Sequence, residues 1–154
     1  HFNNPYYIYK NKRMELQDFI IRVTLALGSG FLIGLEREFK SKSAGLKTNM
    51  LVALGASIFV LVSLEFSNKD YTDLTRVLGQ VVTGIGFLGA GAIIQKGTNI
   101  KGLTTAATIW CSAGAGCLAA VGLYWELLTI TVLVLIVNFI FGLLDTKIEN
   151  TLKD

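Results

Sequence analysis

The sequence predicts an all-α polytopic membrane protein: a bundle of five transmembrane helices, N-terminus outside and C-terminus cytoplasmic. Three observations lead there. Hydrophobic residues make up 52% of the chain and charged residues 16%, with a mean hydropathy of +0.55, whereas a soluble domain carries about 25% charge. Five apolar runs of spanning length follow one another, separated by short polar connections. Basic residues collect in alternate connections, the asymmetry that sets membrane orientation.

Residues 1–15 form a polar leader with Pro5, Lys10, Lys12 and Arg13, too polar to span and without the apolar core of a signal peptide. It reads as an interfacial strap or as foreign residues ahead of a natural start at Met14. The five-helix domain covers 16–145. Its first segment runs from Leu16 to Leu35, where Ala26, Gly30 and Gly34 recur every four residues and offer a packing stripe. Arg22, near its start, is expected to snorkel outward. A charged connection, Glu36 to Lys47, leads to the second segment, Thr48 to Leu64, with Thr48 or Asn49 expected as its N-cap.

After a polar loop comes the third segment, Val77 to Gln95, with no ionised side chain and glycines at 79, 84, 86, 89 and 91. Each would cost a soluble helix about 1 kcal/mol. In a bilayer no water competes for the backbone, and small residues admit close neighbours. On a helical wheel Gln80, Gly84 and Gly91 fall on one line and Gly79, Gly86 and Ala90 on the opposite one. Two small faces predict that this helix is the central packing hub. A brief loop from Lys96 to Lys101 precedes the fourth segment (103–121), with Thr104 as expected N-cap and Ser112, Gly116 and Ala120 at four-residue spacing. The fifth (125–144) is bulky from Leu127 to Phe141 and is predicted to be peripheral and lipid-facing. Residues 146–154 are a short cytoplasmic tail.

Eight basic residues, among them Arg37, Lys40, Lys42, Lys47, Lys96 and Lys101, fall on one side of this topology, against five on the other including the leader. That bias puts the C-terminus in the cytoplasm.

Several chemistries find no support. The net charge of +3 is too small to indicate nucleic-acid binding. Cys111 and Cys117 match no metal or redox spacing and read as packing residues. Gly84 to Gly89 fits GxGxxG, but it lies inside an apolar span, and no carboxylate follows until Glu126. The only histidine is His1, and there is no phosphate loop, triad or zinc spacing. No enzyme, catalytic residue, metal site or cofactor is expected. The apolar segments also lack the acidic groups that proton carriers or a Mg²⁺ path would need.

Two polar features stand out. Asp73 and Arg76 share a helical turn, and Gln80 lies one turn deeper, a ladder read as pointing into the bundle. Glu36 and Arg37 end the first segment, either as a solvated terminus or with one folding back to pair at the same interface.

The stretches GFLIGLERE (30–38), AGLKTNMLVALGA (44–56), Asp73 with Arg76, GQVVTGIGFLGAGAII (79–94) and KGLTTAATIW (101–110) resemble the MgtC/SapB family. The resemblance covers roughly 16–145. It implies a multi-pass protein of the bacterial inner membrane, a link to growth at low Mg²⁺ and, in some members, to virulence. Members are labelled Mg²⁺ transporters but are also described as regulators of membrane energetics. By carry-over, Glu36, Arg37, Asp73, Arg76, Gln80, Lys101, Thr104 and Trp110 form the functional polar cluster. Gly30, Gly34, Gly79, Gly84, Gly86, Gly91 and Gly116 form the helix-packing set. The chain departs from the family at Asn49, where His is common, and many members are expected to continue into a soluble C-terminal domain beyond the stretch of resemblance.

The expected function is a non-enzymatic regulator of membrane transport or energetics, linked to Mg²⁺ homeostasis and acting through helix–helix contacts. Its expected partners are the lipid bilayer, a second copy (a dimer favoured) and another membrane protein complex, with no nucleic acid. One alternative is a Mg²⁺ or other ion transporter or channel entered near Asp73, Arg76 and Gln80. Another is a lipid-headgroup binder using the basic loops.

Overall fold

The computed structural model describes residues 14–66 and 73–151, with side chains through Gly142. The order is α1 (Leu16–Phe39), α2 (Leu46–Glu65), α3 (Leu74–Ala92), β1 (Ile94–Lys96), β2 (Asn99–Lys101), α4 (Leu103–Val121) and α5 (Tyr124–Thr151). All five helices are long and apolar enough to cross a membrane. Residues 1–13 of the leader, 67–72 of the loop before α3 and 152–154 lie outside the described residues, and the expected tail from 146 instead continues α5 as far as Thr151.

The boundaries differ from expectation where a turn or cap decides them. α1 continues past Leu35 to Phe39, so Glu36 and Arg37 are helical. α2 begins at Leu46, not Thr48, and neither Thr48 nor Asn49 caps it. Its first amide, on Leu46, donates instead to Glu38 Oε2 of α1 at 3.0 Å. α3 is capped by Asp73, whose Oδ1 accepts from the Thr75 amide at 2.9 Å and its hydroxyl at 2.6 Å. Those bonds, the side-chain one foremost, hold the Asp73 carboxyl below its usual range.

The expected loop after α3 is a two-stranded antiparallel hairpin, pairing Ile94 with Lys101 and Lys96 with Asn99. Gly97 supplies the left-handed turn residue at φ +60°. α4 then starts from Gly102 at φ +93°, not from a Thr104 cap. Only glycine fits there, because a Cβ would collide with the Ala92 carbonyl. α4 ends in a Schellman turn at Gly122, with Leu123 N bonded to Leu118 O at 3.0 Å. Arg22 does not reach for water: its guanidinium donates to the Ala120 carbonyl, placing a cation at the negative end of α4.

The largest correction concerns the hub. Half of the most apolar window of α4 is buried (50%), followed by α2 (44%), whereas only 6% of the α3 window is. α4 contributes to all three clusters of the core, through Ile109 and Ala113, Ala115 and Ala119, and Ala120. Its small residues let other backbones approach. A methyl group at Gly116 would lie 3.0 Å from Ala53 Cα. At Gly30 it would lie 2.6 Å from Asn49 O, and at Gly34 2.7 Å from Leu46 Cα, so these glycines pack as expected.

The glycines of α3 do not. Among the described residues nothing lies within 4 Å of a methyl placed at Gly79, Gly84, Gly86 or Gly91, and Gly89 alone meets Ala106, at 3.6 Å. A small face permits a close neighbour but does not supply one. Within this chain α3 packs by one edge, through Leu78, Ile85, Gly89 and Ala92. α5 is largely exposed along Leu128, Val132, Leu133 and Ile136, as expected of a peripheral helix.

Candidate functional site

Polar side chains gather in one buried layer at the end of the bundle that carries Arg37, Lys40, Lys42, Lys47, Lys96 and Lys101. The extension of α1 brings Arg37 there, 4% exposed, with its Nη2 donating to Thr105 Oγ1 of α4 at 2.7 Å. Ser43 Oγ lies 3.3 Å from the same hydroxyl. Lys40 Nζ meets Glu36 Oε1 at 2.8 Å and donates to the Asn138 carbonyl of α5 at 2.8 Å. Gly142 leaves the space that Lys40 fills, since a Cβ would strike its ammonium. Deeper in, Ser29 and Thr131 share a hydrogen bond of 2.7 Å between α1 and α5.

Asn49 holds the centre of this layer and is fully buried. Its Nδ2 donates to Ala44 O at 2.6 Å and Gly45 O at 2.9 Å, while its Oδ1 accepts from Ser112 Oγ at 2.8 Å. The loop it grips contains two non-glycine residues in left-handed backbone, Ser41 (φ 50°) and Ala44 (φ 55°). Each such residue costs on the order of 1 kcal/mol, so the conformation persists only where its surroundings enforce it. Replacing Asn49 with alanine strips the Ala44 carbonyl and the Ser112 hydroxyl of a partner together. We expect a loss of about 2 kcal/mol in a denaturant titration of the purified protein.

Buried polar atoms here are not all satisfied. Among the described residues Glu36 Oε2, Arg37 Nε and Asn138 Nδ2 have no hydrogen-bond partner. The layer therefore binds four helices together while retaining unused donors and acceptors.

The eight residues expected to form one cluster divide between the two ends of the bundle. Glu36 and Arg37 belong to the buried layer, with Arg37 folding back onto α4. Lys101 on β2 and Thr104 on α4 are at the same end but exposed, and Trp110 is 54% exposed on the outside of α4. Asp73, Arg76 and Gln80 are at the opposite end, all exposed. The ladder does not point into the bundle. Arg76 and Gln80 line an open groove of about 810 Å³ between α2 and α3, whose walls include Phe59, Gly84 and Leu88. The reason is the shallow packing of α3: a residue opposite its Ile85 edge faces outward.

Sequence reasoning passed over Ser43, Asn138 and Thr131, used Lys40 only for orientation, and took Asn49 as a cap and a departure from the family rather than as a buried tie. One signal was present: lone polar residues inside apolar helices are expensive in lipid and mark interior positions.

Comparison with known proteins places these residues in context. The MgtC family profile matches residues 23–147. An uncharacterized protein of Synechocystis is 43% identical over 137 residues, which is 89% of this chain and 58% of that protein. Protein MgtC of Salmonella typhimurium is 43% identical over 129 residues, 84% of this chain and 54% of its own length. Protein MgtC of Brucella abortus is 50% identical over 109 residues, 71% and 45% respectively. The chain thus spans about half the length of the curated relatives it matches. No solved structure matches it at a significant level.

Proposed function

Because the chain belongs to the MgtC family, we propose that it acts as a non-enzymatic regulator in the bacterial inner membrane, linked to Mg²⁺ homeostasis through helix–helix contacts. The observation that carries this reading is the bare face of α3. Gly79, Gly86 and Ala90 lie on the side of α3 turned away from both the α4 contact at Ile85 and the groove at Gly84. Glycines lower helix propensity by about 1 kcal/mol each, and among the described residues these return no packing. A helix from a second copy, or from another membrane protein complex, recovers it by close backbone approach.

In this reading the basic end, with its buried layer, faces the cytoplasm and the Asp73 end faces outward. A dimer through α3 is the simplest self-association. Liposomes containing the purified protein should show no Mg²⁺ or proton flux above empty controls. A flux that Asp73→Ala abolishes would replace the regulator with the ion transporter.

A further inference from the structure

The groove between α2 and α3 goes beyond that reading, because it lies on the other side of α3 from the bare glycine face. Its α3 wall runs Arg76, Gln80, Gly84, Leu88 at four-residue spacing, changing from charged to polar to apolar. Across from it α2 contributes residues from Thr48 to Phe59. Those stretches extend about 18 Å at helical rise, parallel to the helices. The volume, about 810 Å³, falls in the usual range of small-molecule sites, about 300–1,000 Å³.

From this geometry we infer that the groove binds an acyl chain of an anionic phospholipid, with the headgroup phosphate held by Arg76. Arg76 stands at the start of a helix that spans Leu74–Ala92, the depth at which headgroups meet hydrocarbon. Among the described residues its guanidinium makes no hydrogen bond or close ion pair, although its charge acts on the Asp73 carboxylate one turn away. The nearest carboxylate in sequence, Asp73, spends its hydrogen bonds on Thr75. An arginine fork matches phosphate oxygens, and Gln80 one turn below offers further amide donors. Beyond Gln80 the walls are apolar except for Thr48 on α2, and Gly55 and Gly84 leave the floor open, with nothing among the described residues within 4 Å of either Cα's missing methyl. A chain lying along the helices enters in the direction that acyl chains already take in a bilayer.

The test is native mass spectrometry of the full chain released from micelles, with phosphatidylglycerol or phosphatidylcholine of matched acyl chains. Wild type should retain phosphatidylglycerol about ten-fold better, the worth of one charge-assisted contact. Arg76→Gln should equalise the two lipids. Gly84→Leu and, from the other wall, Gly55→Leu should lose both, while Gly86→Leu on the far face keeps the wild-type pattern. Equal retention of both lipids by wild type would overturn the inference, as would wild-type retention by both groove-filling variants. So would a loss of dimer in Gly84→Leu with lipid binding unchanged, which would make the groove a surface for a second copy.

Discussion

Leucine at Gly116 separates α2 from α4 and destabilises the bundle by at least ~3 kcal/mol, while leucine at Gly86 does not destabilise it. The difference follows from what each side chain would meet. At Gly116 the first added carbon already lies against the backbone of Ala53, 2.9 Å from its carbonyl carbon. Backbone in the centre of a helix cannot rotate aside as a side chain does, so the helices must part. α4 feeds all three core clusters, and the displacement therefore spreads to Ala26, Val60 and Ile85 together. At Gly86 there is open space, and leucine gains about 0.8 kcal/mol of helix propensity. Unfolding of the two variants in mixed micelles, followed by helicity, reads the contrast. Equal destabilisation would restore α3 as the hub.

Glutamine at Glu36 is the second large effect, a loss of about 3 kcal/mol. Among the described residues Glu36 is the one acidic partner of Lys40, at 2.8 Å, and it supplies the opposing charge for the buried Arg37 next to it. Neutralising it leaves two cations in a layer where only 4% of Arg37 reaches solvent. The C-terminal turn of α1 should loosen from α5, since Lys40 holds Asn138 across that contact. A Lys40→Met change added to Glu36→Gln removes one of the two stranded cations and should recover part of the loss. A double variant no more stable than Glu36→Gln alone would show that Lys40 plays no part.

Much of this fold was legible in the sequence, because the rules for lipid are strict. Runs of apolar residues bounded by charge have few other solutions, and α4 was located to within its observed ends, Leu103–Val121. What failed were inferences from small residues. Gly30, Gly34 and Gly116 and the glycines of α3 look alike on a wheel, yet only the first three press directly on a neighbouring backbone, while Gly89 alone on α3 touches Ala106 at ordinary contact distance. A wheel gives the angle of a residue but not the neighbour at that angle. The polar cluster divided for a related reason: residues alternate between the two ends of an up-and-down bundle, so Arg37 and Arg76 are far apart while Arg37 and Thr105, 68 positions apart, touch. The role of Asn49 required the bent 40–45 loop, whose left-handed Ser41 and Ala44 no propensity would predict.

The central claim is that the bare face of α3 is the working surface. It is tested most directly by cross-linking in native membranes, with Cys111 and Cys117 replaced by alanine and a single cysteine placed at Gly86. The account predicts a protein adduct through position 86, and none through a cysteine at Leu133, a half-exposed position on α5. If position 86 forms no adduct and reacts with a lipid-phase maleimide as fully as position 133, α3 faces only lipid and the claim fails.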